Sequence, residues 1–422
     1  MSQYSNPKGV VPLSLSLDRD DTAVLKALAM LLIVAHNFFH LVPPSPVENE
    51  FAFGSAKGIW QAIAICVQFP GEIFHVLLAF FGHYGVVIFI FLSGYGLTRK
   101  LVVENPLTRE WHSAWNIVER QVMKMVCLIL VGALLVLVWR FATMGAEFSL
   151  TYEINELLKL LTFTNNLRPD SLWGFVSVWW FFALIVQLYL LFPLMVWGLR
   201  HNPTFTTVLT LAGLGAAQVW GPVSHGVTLY ATPLSHAVIF LMGIWLGQGK
   251  RLPGNILPWA WCVLLLSQFV SILFPVSFLA LLFCTLDLWQ RYGRRLFGKR
   301  CLVWFGGMSS FVFLVHGWIP LRLVGSEMCI RDSFCFVVYR CCCGCRHCPP
   351  ALSPGFSMAR RDVLPKVGRF VAKVFLCSKL VTFVVRLFRF FYPFRLSCFP
   401  RQRMPKCSPA MSPECPTVTR FG

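Results

Sequence analysis

Two histidines stand four residues apart in the run LKALAMLLIVAHNFFH, from Leu25 to His40. His36 and His40 would share one face of a helix, and no acid lies between Asp21 and Glu48 to hold either ring protonated. A histidine in apolar surroundings stays neutral and can accept a proton near neutral pH. That is general-base chemistry toward a hydroxyl. The spacing alone also fits a structural histidine bonded to a carbonyl near a membrane interface. A third role is half of a metal or haem ligand set, with His83, His236 or His316 as the facing ligand.

A second pattern is HYGVVIFIFLSGYGLTRK, His83 to Lys100. Ser93-Gly94-Tyr95-Gly96 permits close helix approach and backbone access, and Arg99 with Lys100 offers cations to a phosphate-rich cytosolic ligand. Packing glycines and ordinary membrane anchors are the plainer reading of the same residues. Two further runs, WWFFALIVQLYLLFP (Trp179 to Pro193) and WFGGMSSFVFLVHGWIP (Trp304 to Pro320), put Gln187, Tyr189 and His316 at membrane depth. Polar groups are costly there, which makes each a functional candidate. No phosphate-binding loop, dinucleotide fingerprint or nucleic-acid module accompanies them, and no cysteine or serine sits in a nucleophile elbow.

The elements that must position these residues are transmembrane helices. Of 422 residues, 56% are hydrophobic and 13% charged, where a soluble domain carries about a quarter charged. The expected fold is all-α, a multi-pass helix bundle. A span needs roughly 20 mostly apolar residues. Candidate runs are 22–41, 79–98, 122–140, 174–198, 205–220, 228–247, 256–273, 275–290 and 302–321. Another run, 59–78, is broken by Pro70-Gly71-Glu72 and reads as a re-entrant or interfacial segment, or as a full span. Gly243 and Gly247 form a small-xxx-small pair that helix packing explains.

Basic loops set the orientation. Lys8, Arg19 and Lys26 flank the first span, whereas residues 42–56 hold Glu48 and Glu50 and no Lys or Arg in that stretch. This places the N-terminus in the cytoplasm of a plasma-membrane protein. If 59–78 does not cross, Arg99/Lys100 with Arg109 and Arg120, then Arg200, then Lys250/Arg251, then the Arg291, Arg294, Arg295, Lys299 and Arg300 loop fall on that same side. The acid-bearing segment 147–170 then lies outside. Nine spans leave the bundle ending outside, so a tenth is expected to be missing.

The formal net charge of +19 is unevenly spread. From Ser326 onward there are 16 Lys+Arg, four acids and 11 of the 16 cysteines. The five earlier cysteines are scattered, so no disulfide framework is indicated. The expected domains are 1–323, a membrane domain, and 324–422, a basic Cys/Pro-rich tail. Val324 to Ser333, VGSEMCIRDS, resembles a translated adapter fragment, and coding sequence is expected to stop near Leu323. Within the tail, Val363–Tyr392 reads as a basic amphipathic helix on a membrane surface. Its Cys342, Cys345 and Cys348 run too close together for a usual zinc site.

Taken in order, four segments resemble the acyltransferase 3 family, integral membrane O-acyltransferases that modify sugars and other hydroxyl compounds. They are a basic residue and His in the first span, F-I-F-L-S-G-Y-G, W-F-F-x4-Q-L-Y-L-L-F-P, and S-S-F-V-F-L-V-H-G, within about residues 17–321. The resemblance implies that His36 is the catalytic histidine. It sets Lys26 in the place of the family's basic residue, usually Arg, and Ser93 with Arg99 on the acyl-donor route. Tyr189 matches the Gln-x-Tyr segment and His316 the late histidine. Many members carry Glu just before Gln-x-Tyr, where this chain has Ile185.

The implied reaction moves an acyl group, expected to be acetyl, from cytosolic acyl-CoA to a hydroxyl of a glycan or other cell-envelope acceptor. Lys26, Arg99 and Lys100 would meet the donor phosphates. Expected partners are the lipid bilayer, acyl-CoA as co-substrate and a carbohydrate or other hydroxyl acceptor. No nucleic acid, bound cofactor or metal is expected. The competing reading is a multi-pass transporter or flippase, which broken helices such as that at Pro70-Gly71 would suit. Against it, the sequence shows no repeated halves and no acid deep in a span apart from Asp287 near the end of one.

Overall fold

Long apolar runs broken by polar or glycine- and proline-bearing turns leave the backbone one way to satisfy its own hydrogen bonds in hydrocarbon, the helix. A computed structural model describes residues 13–14, 16–47, 53, 55–104, 110–145, 148–220, 223–224, 227–252, 256–293 and 299–317. The chain divides into two compact units, Met1–Ser333 and Phe334–Gly422, and every described residue belongs to the first. The whole tail from 324, together with Lys8, Glu48, Glu50, Arg109, Glu147, Arg294 and Arg295, lies outside the described residues.

The helices are α1 (Arg19–Phe39), α2 (Lys57–Gln68), α3 (Ile73–Phe81), α4 (Gly85–Glu104), α5 (Glu110–Met144), α6 (Leu150–Leu161) and α7 (Trp180–His201). They continue as α8 (Pro203–Val219), α9 (Pro233–Gly247), α10 (Ile256–Leu266), α11 (Phe274–Tyr292), α12 (Lys299–Gly307) and α13 (Ser309–His316). The strands among the described residues are two-residue pairs only. Leu13–Ser14 lies antiparallel to Arg251–Leu252, and Val223–Ser224 to Val227–Thr228. The all-α class expected from composition is what the chain adopts.

Helix ends are written in the sequence. Asp18 accepts a hydrogen bond from the Asp21 backbone N–H at 2.6 Å, and Asp21 answers the Asp18 backbone N–H. This capping box satisfies donors that have no partner inside the first turn of α1. Asn202 caps α8 through the Phe205 N–H at 2.9 Å, with Pro203 in the first turn, where a missing N–H costs nothing.

Side-chain contacts fix the helix directions. The Tyr95 hydroxyl accepts from the Leu17 N–H at 3.0 Å, while a Cβ on Gly82 would sit 2.6 Å from His36 Cβ. The α3–α4 segment therefore runs antiparallel to α1. Lys299 reaches Asp21 at one end of α1 and His316 reaches Asn37 at the other, so α12 and α13 run parallel to it. Along the α4–α9 seam, Gly94 faces the Phe240 carbonyl, Gly243 faces Phe91 and Tyr95, and Gly247 faces Thr98. Those two helices run parallel with backbones in close approach. The small-xxx-small pair is thus packing, as the spacing indicated.

Among the described residues, six helical segments are long and apolar enough to cross a membrane: Arg19–Phe39, Pro70–Val103, Trp111–Met144, Ser177–His201, Leu229–Gly247 and Ser271–Tyr292. The other three of the nine predicted spans form shorter pieces. Helix α8 has 17 residues and α10 has 11, the latter only about 17 Å long at 1.5 Å per residue. The run from 302 divides into α12 and α13 at Met308, and residues 318–321 lie outside the described ones. The count falls because α8 is a short continuous helix, a turn after α10 shortens its run, and the last run is divided at Met308 and partly outside the described residues.

The 59–78 run resolves as a hairpin. Pro70–Glu72 forms a single 3-10 turn between α2 and α3, and α3 then continues through a second 3-10 turn, Gly82–Tyr84, into α4. Ala62 of α2 packs on Val76 and Phe80 of α3, with Ile59 and Ile65 around them. The outer face of α2 stays apolar, with Trp60 and Val67 exposed.

Candidate functional site

Helix α1 carries His36 on the face turned toward α3 and the Gly82–Tyr84 turn, and the ring is 1% exposed. Its Nδ1 lies 2.8 Å from the Ala79 carbonyl. A carbonyl only accepts, so Nδ1 holds the proton, and in the neutral ring Nε2 holds the lone pair. The tautomer is set by a backbone bond from a neighbouring helix rather than by a carboxylate. Gly82 makes this approach possible, because a Cβ there would also meet the Leu32 carbonyl at 2.6 Å.

Further imidazoles gather at this end of α1. His40 donates Nδ1–H to the His36 carbonyl at 2.8 Å, and its ring lies 5.1 Å from that of His36. The His83 ring meets His36 edge to face at 5.5 Å and lies 4.3 Å from Tyr84. His75 donates Nε2–H to the Phe39 carbonyl at 3.0 Å and faces the Glu72 carboxylate through Nδ1 at 3.1 Å. Both His75 ring nitrogens are therefore engaged.

His316 arrives from the far end of the sequence. Its Nδ1 donates to the Phe313 carbonyl at 2.7 Å, and Asn37 Nδ2 donates to its Nε2 at 3.4 Å. Asn37 also bonds the Ile33 carbonyl at 3.0 Å. The late histidine thus joins the first-span histidine through the residue next to it. Sequence reading singled out His36 and His316 but not Asn37. An amide between two histidine-bearing turns of one apolar run was the available signal.

His236 stands elsewhere, with Nε2 donating to the Tyr230 carbonyl at 2.7 Å. Among the described residues, no group of three or more His, Cys, Asp or Glu side chains is arranged to hold a metal ion. Beside His83, the Tyr84 hydroxyl lies 2.8 Å from Ser277 Oγ and accepts from Gln268 Nε2 at 3.1 Å. These bonds tie the turn to α11 and the segment after α10.

The other predicted residues spread along the bundle. Lys26 lies on α1, ten residues and about 15 Å along the axis from His36. Ser93 is half-buried on α4, donates to the Phe89 carbonyl at 2.8 Å and stands beside the Tyr189 hydroxyl of α7. Sequence reading gave those two separate places, and the fold brings them together. Arg99 and Lys100 are exposed at the same end of the bundle as Leu17. Gln187 is a clamp: it exchanges hydrogen bonds with Asn166 at 2.9 and 3.0 Å and donates to the Phe163 carbonyl at 2.7 Å. Ile185 is buried among apolar neighbours on α7. Asp287 pairs with Arg291 one turn along α11 at 2.7 Å, which accounts for the acid near the end of that span.

The His36 end of the bundle carries a shallow groove. Helix α6 follows α5 and is bound to its last turns by the Arg140–Glu153 ion pair, while Arg140 also donates to the Phe175 carbonyl at 2.6 Å. Trp179 in turn donates to the Leu314 carbonyl of α13 at 3.2 Å, which sets α6 at the end where His316 sits. A groove of about 430 Å³ on α6 is lined by Tyr152, Asn155, Glu156, Lys159 and Arg168 among others. The Glu156 carboxylate, 2.7 Å away, raises the Lys159 ammonium pKa above its ordinary value.

The structure thus sets a buried histidine bonded to a backbone carbonyl near one end of the bundle, with exposed Arg99 and Lys100 at the other end and a polar groove on the near side. No similar chain was found among curated proteins or among solved structures. The model of an acyltransferase domain matches residues 19–327, which is most of the chain. The protein is a membrane acyltransferase of the acyltransferase 3 family.

Proposed function

We propose that this acyltransferase moves an acetyl group from cytosolic acetyl-CoA to a hydroxyl of a glycan or related cell-envelope acceptor, with His36 as general base. The carrying observation is the His36–Ala79 bond, because it keeps the proton on Nδ1, so that the neutral form of the ring carries its lone pair on Nε2. In this reading the N-terminus faces the cytoplasm and the membrane is the plasma membrane; the excess of Lys and Arg at the Arg99/Lys100, Arg200, Lys250/Arg251 and Lys299/Arg300 end supports the orientation.

In this reading the donor phosphates stay with Arg99, Lys100 and Lys26 while the thioester reaches into the bundle past Ser93 and Tyr189. The acceptor approaches from the groove side, where Tyr152, Asn155 and Arg168 offer the aromatic face and hydrogen bonds that suit a polyhydroxyl compound. A thioester is reactive enough for positioning and one base to drive transfer. No acyl-enzyme is needed. The five described cysteines are unpaired with one another.

The test uses membrane vesicles of the source organism, deleted for the gene and carrying either the wild-type or the His36→Ala chain. Radiolabelled acetyl-CoA is supplied on the cytosolic face, and label in alkali-labile esters is counted. Wild-type vesicles should incorporate label and His36→Ala vesicles should not, at equal protein level. Equal incorporation would remove the histidine from the mechanism. No incorporation in either would remove acetyl-CoA as donor.

A further inference from the structure

The polar groups around His36 can be sorted by where their protons go. Both Asn37 Nδ2 hydrogens are committed, to the Ile33 carbonyl and to His316 Nε2. His316 and His40 each give their Nδ1–H to a carbonyl, and His75 gives its Nε2–H to Phe39. The Tyr84 hydroxyl is held between Ser277 and Gln268. His83 differs. It is 6% exposed, and neither ring nitrogen has a hydrogen-bond partner among the described residues. The Phe80 carbonyl lies close to the ring, but no geometrically sound hydrogen bond forms to it.

A buried imidazole with two unengaged nitrogens is costly to keep, so its position calls for a partner that arrives with substrate. Its ring touches that of His36 at 5.5 Å, within reach of a molecule on which His36 acts. Acyl transfer needs a donor where negative charge grows on the carbonyl oxygen. Of the side chains just inventoried, His83 is the one whose N–H is not already given to the protein.

We propose that His83 is a second catalytic residue, donating a ring N–H to the carbonyl oxygen of the acyl thioester; this rests on the His36 reading above. The acceptor oxygen bonds to the carbonyl carbon while its proton passes to His36 Nε2. The electron pair of the C=O bond moves onto oxygen, where the His83 N–H holds it. When the carbonyl re-forms, the C–S bond breaks, and the thiolate takes the proton from His36. Nothing is oxidised or reduced, and His83 ends as it began.

The experiment compares His83→Phe, His83→Asn and His36→Ala in the vesicle assay, with thermal unfolding of each purified full-length protein in detergent. Removing one such donor should lower the rate of label incorporation about 10²–10³-fold in His83→Phe, while His83→Asn, which keeps an N–H, should retain part of it. The melting temperature of His83→Phe should stay level or rise, because a ring without polar atoms replaces one with no partner. Wild-type incorporation in His83→Phe, with His36→Ala inactive, would overturn the proposal and leave the His36 reading standing. Loss of incorporation with a lower melting temperature in His83→Phe would assign His83 to structure instead. Full incorporation in His36→Ala would remove both.

Discussion

The two ends of α1 are anchored by different chemistry. At the Arg19 end, Asp18 and Asp21 cap the helix, Lys299 pairs with Asp21 at 3.0 Å, and Tyr95 holds Leu17. The Asp21 carboxylate raises the Lys299 ammonium pKa above its ordinary value. A lysine raised in this way contributes its stability below its unfolded pKa and loses it as pH rises through the folded one, so the pair is intact at neutral pH. At the His36 end the ties run from imidazole N–H to backbone carbonyl. The first end neutralises its polar groups against one another. The second holds its rings through N–H bonds to backbone carbonyls of its own and neighbouring turns.

The sharpest way to break the comparison is His36→Ala. Loss of a positioned general base should lower acyl transfer about 10²–10⁴-fold with little change in the amount of folded protein. Next is Gly82→Ala, whose methyl would meet His36 Cβ and the Leu32 carbonyl. Overpacking of this kind costs about 1–3 kcal/mol, so thermal unfolding in detergent should shift down and activity should fall with it. An unchanged melting temperature would mean that α1 and the turn are not held this closely.

At the opposite end, Lys299→Met removes an ion pair whose lysine is 34% exposed. Solvent screening limits that pair to roughly 0–1 kcal/mol. Activity should survive, and a large loss would show that the two ends are not separable. The smallest effect is expected within one motif. Gly94 abuts the Phe240 carbonyl, whereas a Cβ on Gly96 would meet nothing within 4 Å. Gly96→Ala should therefore change stability by no more than about 1 kcal/mol, while Gly94→Ala should disrupt the α4–α9 seam. Equal unfolding temperatures for the two variants would count against that seam.

Much of this was legible before any geometry. Composition gave the all-α bundle, and the His36 run, the S-G-Y-G stretch and the late His316 gave the family. Other features were hidden because they depend on distance in space rather than spacing along the chain. Gln187 looked like a polar candidate at membrane depth, yet its partner is Asn166, in a turn that no periodicity marks. His83 read as the first residue of the second pattern and as one of three histidines that could face the first span, and the close approach at Gly82 shows that it is the one set ring to ring against His36. The hairpin of α2 and α3 was ambiguous for a related reason. Apolar content cannot distinguish a helix that crosses from one that folds back at Pro70.

The ten-residue step from Lys26 to His36 has an electrical consequence. About 15 Å of helix is half of a hydrocarbon layer about 30 Å thick. In the proposed reaction the phosphates remain at one surface, and only the uncharged thioester arm enters the bundle. A neutral hydroxyl compound comes from the other side, a neutral ester returns to it, and the thiol withdraws protonated. No net charge traverses the field, so the membrane potential neither drives nor opposes the transfer, and turnover should be the same in polarised and depolarised vesicles.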